Sequence, residues 1–198
     1  MTRGSVAWAA VAALFGACAL LGWAVPHGAL DWQSALAFTQ PWRWFTAIGV
    51  HYSVAHLLGN LAGIALAGVF GVVARVPLRL ALAWLAAWPL THLGLLAKPA
   101  LAHYGGLSGV VHAGVAAVIA CVLITGNRAQ RWVGTAVLVG FCGKLLSESP
   151  WAEVLRHPAG WDIAVAPIVH ATGALAGALC ATAVLLWPHR TLPTNPDA

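Results

Sequence analysis

One serine of this chain lies among glycines at the start of a long apolar run. It is Ser108, in the segment GGLSG at 105–109, and apolar residues continue from there to about residue 125. A serine hydroxyl is a poor nucleophile unless a neighbouring base takes its proton, and histidine is the usual base near neutral pH. A serine at this position is also a good helix cap. Its chemistry therefore depends on which other polar side chains lie at the same depth.

The composition places these residues in a membrane. The chain has 198 residues, of which 61% are hydrophobic and 8% charged, whereas soluble domains carry about 25% charged residues. A spanning helix needs roughly 20 apolar residues. We therefore predict an all-α membrane protein made of one six-helix domain over 1–198. The predicted helices are at about 6–25, 48–73, 78–97, 107–125, 132–146 and 167–187, with a polar tail at 188–198.

The charged residues predict the orientation of this bundle. One side of a six-helix chain carries six arginines: Arg3, Arg75, Arg79, Arg128, Arg131 and Arg190. The other side carries four basic residues and four of the five acids: Arg43, Lys98, Lys144, Arg156, Asp31, Glu148, Glu153 and Asp162. The positive-inside rule then puts both termini in the cytoplasm. The net charge of +5 is scattered and gives no indication of a nucleic-acid partner.

The second, fourth and sixth predicted helices all enter from the outer face, and each carries polar residues near its start. These are His56 and Asn60, then Ser108, then His170. At a rise of about 1.5 Å per residue they lie in the outer part of the bilayer. Polar groups inside a membrane are costly and usually face the bundle interior or a water-filled cavity. The pattern therefore predicts one polar site open to the outer side.

The residue types in this site favour hydrolysis by a serine nucleophile. His170 is the histidine best placed to act as a base from another helix. An oxyanion needs hydrogen-bond donors, which the Asn60 amide, the His56 ring and the Ser108 backbone N–H offer. Gly106 and its glycine neighbours let a substrate backbone approach closely. We find no acid placed to orient His170, so we expect a dyad with the Ser108 Oγ and the His170 ring near hydrogen-bond distance.

In these motifs the chain resembles the rhomboid intramembrane serine proteases over nearly its whole length. GLSG at 106–109 is similar to the family's GxSG, and HLLGN at 56–60 to its HxxxN on the second helix. HATGALAG at 170–177 is similar to HxxGxxxG on the sixth helix, and WR at 42–43 to the WR pair of the first loop. The resemblance implies a rhomboid-like bundle in the lipid bilayer that cleaves a transmembrane protein substrate with Ser108 and His170. It implies no metal or organic cofactor.

Within that family the chain resembles most closely the rhombosortases, which are compact bacterial members. The small size, the lack of an extra domain and His112, where many rhomboids carry tyrosine, carry this resemblance. It implies a multi-pass protein of the bacterial inner membrane with its active site on the periplasmic side. The implied substrates are precursors with a C-terminal sorting tail, made of a Gly-Gly motif, an apolar helix and basic residues.

The remaining residues of the motifs have supporting interpretations. His112 lies four residues after Ser108 on the same face, so it is a rival base or, as we favour, a supporting residue. We expect His51 to shape the rim of the site, and Gly173 and Gly177 to allow close helix packing. Two other functions stay open: a non-enzymatic rhomboid-like adaptor, and a membrane metal or haem protein. The ligands of the latter would come from the outer-side histidines His51, His56, His103, His112 and His170.

Overall fold

The computed structural model describes residues 1–187, and the predicted polar tail at 188–198, with Arg190, lies outside the described residues. Within 1–187 the regular structure is helical, with two isolated β-bridges and no longer strand. The prediction of an all-α protein is confirmed for this part of the chain. The six long helices are α1 (Arg3–Gly22), α2 (Val54–Val73), α3 (Leu78–Leu90), α4 (Ser108–Thr125), α5 (Arg128–Ser147) and α6 (Pro167–Leu186).

Five segments of residues 1–187 are long and apolar enough to cross a membrane. They are α1, α2, α4, α6 and the segment Leu78–Ala97, which includes α3. The fifth predicted span, α5, is a 20-residue helix but does not belong to this group, because basic residues and glycines lower its hydropathy. The apolar helices thus support a multi-pass membrane protein and five of the six predicted spans.

Local capping explains where two helices begin. The helix predicted at 48–73 starts only at Val54, because the Ser53 hydroxyl caps it and accepts the His56 backbone N–H at 3.0 Å. The helix predicted at 132–146 starts earlier, at Arg128. There the side chains of Asn127 and Gln130 accept each other's backbone N–H, both at 2.9 Å. Such a capping box satisfies two of the N–H groups that a helix start leaves without partners.

The helix predicted at 78–97 changes character near its C-terminal end. Regular α-helix ends at Leu90, and Leu93–Ala97 forms a 3₁₀ turn. Pro89 has no backbone N–H to donate and its ring crowds the preceding turn, which disfavours a longer α-helix.

The central helix is α4, and small residues let α6 lie directly against it. Of the residues of α4, 61% are buried, against 33–44% for the other four apolar spans. A Cβ on Gly173 would collide with the Gly109 carbonyl oxygen, and a Cβ on Gly177 with the Ala113 carbonyl oxygen. Close backbone approach through small residues is how membrane helices gain packing energy in lipid. The two glycines therefore set the separation of α4 and α6.

Two buried tryptophans tie α1 and α3 to the neighbouring helices. Trp8 of α1 and Trp84 of α3 stack with ring centroids 4.1 Å apart. The Trp8 indole N–H donates to the Ala67 carbonyl at 3.0 Å, and the Trp84 indole N–H to the Val110 carbonyl at 2.8 Å. Buried indole N–H groups need such partners. The Trp84 bond ties α3 to the first turn of α4.

The long loop between α1 and α2 is held by a buried arginine. Arg43 is 5% exposed, and its Nη1 donates to the Asp31 Oδ1 at 3.0 Å. Its Nη2 donates to the Gly28 carbonyl at 3.0 Å and its Nε to the Gln40 Oε1 at 2.7 Å. Trp32 next to Asp31 pairs with Tyr104 through two backbone hydrogen bonds. The loop therefore packs against the segment that leads into α4.

Candidate functional site

Ser108 is the first residue of α4, and the loop before it is fixed on both sides. The Gly106 N–H donates to the Ala47 carbonyl at 3.0 Å. Gly106 has φ +132°, a conformation that side-chain-bearing L residues rarely adopt. Because Ser108 begins the helix, its own N–H is among the donors without an intrahelical partner. The GLSG segment therefore presents both a hydroxyl and a free backbone donor at one point.

The two polar residues of α2 lie against this segment. A Cβ built on Gly106 would be 2.7 Å from the His56 Nε2 and 3.3 Å from the Asn60 Nδ2. The His56 Nδ1 accepts the Tyr52 backbone N–H at 3.5 Å, so in a neutral His56 the proton sits on Nε2. The Asn60 Nδ2 is buried and has no hydrogen-bond partner within residues 1–187. Two N–H donors thus converge beside Gly106.

His51 occupies a different place from the rim position predicted from sequence. It is fully buried, with its ring centroid 4.8 Å from that of His56. Its Nδ1 lies 3.3 Å from the Gly49 carbonyl, and its Nε2 has no partner in the described chain. Burial lowers the pKa of His51 to about 4. His51 is therefore a neutral ring that packs behind His56.

His112 and His170 form a stacked pair between α4 and α6. Their ring centroids are 4.3 Å apart and their planes 11° from parallel. The His112 Nδ1–H donates to the Ser108 carbonyl at 2.6 Å, which leaves its Nε2 as an acceptor that faces the Lys144 Nζ at 2.5 Å. Both ring nitrogens of His112 are thus engaged.

The expected hydrogen bond between the Ser108 hydroxyl and the His170 ring is not formed within residues 1–187. A Cβ on Gly109, the residue after Ser108, would nevertheless collide with the side chain of Val169, the residue before His170, so α4 and α6 are closely packed at this level. Catalytic hydrogen bonds are often long in resting enzymes.

An acid does contact His170, and the expectation that none would is wrong. The Glu148 Oε2 lies 2.7 Å from the His170 Nδ1, and the Glu148 Oε1 lies 2.9 Å from the Lys144 Nζ. Sequence reasoning assigned Glu148 to a loop. In the structure α5 continues to Ser147, so Glu148 caps its C-terminal end one turn after Lys144. The i,i+4 spacing of lysine and glutamate was the signal that could have revealed this.

The electrostatics of Glu148 follow from these contacts. Burial raises the pKa of its carboxyl group, but the hydrogen bonds and charges of His170 and Lys144 outweigh burial and lower the pKa to about 2. Glu148 is therefore ionised at neutral pH and accepts a hydrogen bond from the His170 Nδ1–H.

Tyr104 is a second residue of the site, beside the GLSG segment, that no sequence signal identified. It is 7% exposed, and its hydroxyl donates to the Gly106 carbonyl at 3.2 Å. Burial raises the pKa of Tyr104 to about 12, so it remains a neutral phenol. Its hydrogen bond holds the Gly106 carbonyl group in place.

A small cavity opens beside Ser108 under the loop that joins α5 to α6. Its volume is about 40 Å³, and its lining includes Tyr52, His56, His103, Ser108 and loop residues 163–166. The Ser53 hydroxyl donates to the Asp162 Oδ1 at 2.8 Å, which fastens the loop over the cavity. Larger grooves, such as one of about 410 Å³ between α1 and α2, are lined by alanine, glycine, isoleucine and valine. The groove between α1 and α2 therefore offers no side chain for chemistry.

The five histidines considered as metal ligands do not gather into one metal centre within residues 1–187. His51 pairs with His56, His112 stacks on His170, and the His103 Nδ1 contacts the Asp31 Oδ2 at 2.6 Å. Residues 1–187 contain no group of three or more histidine, cysteine, aspartate or glutamate side chains placed to hold a metal ion. The metal hypothesis therefore has no built site in the described chain.

Together the fold and the site define a multi-pass helical membrane protein with serine, histidine and amide groups meeting near one end of its helices. A family model described as the Rhomboid domain matches residues 39–188. The chain therefore belongs to the rhomboid family, whose members are intramembrane serine proteases that act on transmembrane substrates. The match includes the sequence motifs at 42–43, 56–60, 106–109 and 170–177. No curated protein sequence matches the chain.

Proposed function

We propose that this rhomboid-family protein is an intramembrane serine endopeptidase that uses Ser108 as nucleophile and His170 as base. The observation that carries the proposal is the convergence of the His56 and Asn60 donors on Gly106, two residues before Ser108. A buried amide without a partner costs free energy. A site that develops negative charge during the reaction gives that amide a function.

Stabilisation of the oxyanion is the role that we propose for this corner of the site. When Ser108 attacks a carbonyl carbon, the carbonyl electron pair moves to the oxygen and must be stabilised. The His56 Nε2–H, the Asn60 Nδ2–H and the Ser108 backbone N–H are the available donors. Preorganised donors of this kind supply a large share of catalysis in acyl transfer.

His170 is a better base than His112 because of what their nitrogens contact. The His170 Nδ1 is bound by Glu148, which leaves its Nε2 free to accept the Ser108 proton. Both nitrogens of His112 are already engaged. The proton taken by the His170 Nε2 then passes to the leaving amine as the C–N bond breaks. His112 supports the site by stacking on His170 and holding the Ser108 carbonyl.

The size and position of the cavity favour a particular class of substrate. A space of about 40 Å³ beside Ser108 suits small residues next to the cleaved bond. Small residues also help a substrate helix to unwind, which exposes its shielded peptide bonds. This fits a membrane-anchored precursor with a C-terminal Gly-Gly sorting tail, as rhombosortases are thought to process. We place α5 as a sixth span, both termini in the cytoplasm, and the site on the periplasmic side of a bacterial inner membrane.

A serine-directed fluorophosphonate and a reporter precursor test this proposal together. The purified protein in detergent micelles is treated with the probe, and the labelled residue is identified by mass spectrometry. Cleavage is followed on a fusion protein that ends in Gly-Gly, an apolar helix and basic residues. Ser108→Ala should abolish labelling and cleavage, and His170→Ala should reduce both by at least about 10³-fold. Asn60→Ala should lower cleavage by about 10²- to 10³-fold.

Two further variants make the outcome decisive. His157→Ala, which changes an exposed histidine of the outer loop, should behave as wild type. His112→Ala should lower cleavage only in part, and a loss as complete as that of Ser108→Ala would count against His170 as the base. Labelling at a residue other than Ser108, or full activity of both dyad variants, would refute the scheme. Intact fold without any cleavage or labelling would favour a non-enzymatic adaptor.

A further inference from the structure

The contact between Glu148 and His170 adds a third residue to the site formed by Ser108 and His170. Its interpretation rests on the proposed function. The carboxylate can only accept a hydrogen bond, so the His170 Nδ1 carries the hydrogen. A neutral His170 then has its lone pair on Nε2, which is the state that a general base requires. In the other tautomer, Nε2 would carry a hydrogen and could not take the serine proton.

Glu148 is itself held in place. Its Oε1 is 2.9 Å from the Lys144 Nζ, one helical turn away, while its Oε2 faces His170. The same Nζ lies 2.5 Å from the His112 Nε2 and 3.3 Å from the His170 Nδ1. A cation so close to His170 opposes formation of an imidazolium, and the Glu148 carboxylate offsets it. Apart from these groups, the titratable side chain that faces His170 from α2 is that of His56.

We propose that Glu148, fixed by Lys144, is a positioning residue that holds His170 in the tautomer and orientation needed to accept the Ser108 proton. Glu148 takes no proton itself during the reaction. It stabilises the imidazolium that forms when the proton moves from the Ser108 Oγ to the His170 Nε2. The site thus works as a triad whose acid is supplied from the outer end of α5, next to the stacked His112 and His170.

The rate of fluorophosphonate labelling at Ser108 tests this inference, because it needs no natural substrate. The rate is measured in micelles from pH 5 to 9 for wild type, Glu148→Gln, Glu148→Asp and Glu153→Gln. Glu153 is a matched control because it is an exposed carboxylate of the same loop. Melting temperatures are recorded for every variant, so that rates are compared between folded proteins.

Glu148→Gln should lower the plateau rate by about 10- to 10⁴-fold, the upper bound being the loss for the equivalent change in a serine-protease triad. It should also move the acid limb of the profile to lower pH, because the imidazolium loses its partner while Lys144 remains. Glu148→Asp should recover part of the rate, and Glu153→Gln should match wild type. In Lys144→Met/Glu148→Gln the acid limb should return towards its wild-type position while the plateau stays low.

Wild-type rates and an unchanged pH profile in folded Glu148→Gln would overturn the inference while leaving Ser108 and His170 in place. A lower melting temperature with the same profile would also overturn it, since Glu148 would then be purely structural. Failure of the wild type to label at Ser108 would instead count against the proposed function. In that case the ¹⁵N resonances of His170 still test the inference about Glu148, because they report which ring nitrogen carries the hydrogen. We expect that hydrogen on Nδ1 in wild type and its loss from Nδ1 in Glu148→Gln. An Nε2-protonated ring in wild type would refute the inference.

Discussion

Substitution of Gly173 by alanine should impair the site without changing any polar group. Gly173 lies one turn after His170 and faces the backbone of α4, where an added Cβ would collide with the Gly109 carbonyl oxygen. That neighbour is main chain, so no side chain can rotate away to make room. The two helices must move apart where Gly109, the residue after Ser108, packs against Gly173.

The magnitude follows from the packing. A carbon needs about 3.5 Å from a non-bonded neighbour, so α6 must shift by on the order of 1 Å. Overpacking of this kind typically costs about 1–3 kcal/mol. A displacement of about 1 Å between catalytic groups can reduce the rate about 10²-fold. The loss of activity should therefore exceed what the loss of stability alone explains.

Thermal unfolding in micelles and the labelling rate of Ser108 measure the two effects separately. Gly140→Ala is the matched control, because a Cβ at that exposed position of α5 meets no atom within 4 Å. The control should label at the wild-type rate and gain up to about 1 kcal/mol from the helix preference for alanine. If folded Gly173→Ala labels as fast as wild type, then the close approach of α4 and α6 does not position the catalytic groups.

Two further predictions concern charged groups near the site. Arg43→Ala should destabilise the protein by about 3 kcal/mol, the lower end of the range for breaking a buried ion pair, because His103 still contacts the buried Asp31. Arg43→Lys should restore little of this stability, and an Arg43→Ala protein that melts at the wild-type temperature would contradict the prediction. The carboxyl pKa of Glu148 is lowered from its usual 4.5 to about 2, so its contribution to stability is present above pH 4.5 and is lost as the pH falls towards 2. Melting temperatures of wild type and Glu148→Gln should therefore differ at pH 6 and converge near pH 2, and a constant difference would show that the carboxylate charge does not stabilise the fold.

Much of this architecture could be predicted because membrane spans have a strong signature. The apolar runs predicted the helices, and the order of these runs along the chain predicted that His56, Ser108 and His170 lie at the same depth. The start of α2 was misplaced because Ile48 and Val50 are apolar, yet Ser53 caps the helix and ends the run of loop residues before it. Hydropathy alone does not register a cap.

The site residues that were not predicted from the sequence, Glu148 and Tyr104, have a different explanation. Glu148 was read as a loop residue because α5 is amphiphilic and carries Lys144 within its last turn, so its end was hard to locate. Tyr104 precedes α4 in a segment without periodicity, and only the pairing of Trp32 with that segment places it beside Gly106. Contacts between residues far apart in sequence carry no local signal.

The direction of the helices explains why the acid comes from α5. α2, α4 and α6 bring their N-termini to the site, and helix starts provide N–H donors and partial positive charge. Such ends suit an oxyanion and a nucleophile, but they supply no acceptor for the His170 Nδ1–H. α5 runs the opposite way and brings its C-terminal end there, where Lys144 complements the helix dipole and Glu148 follows as the cap. The acceptor for His170 is thus supplied by the helix that ends, rather than begins, beside it.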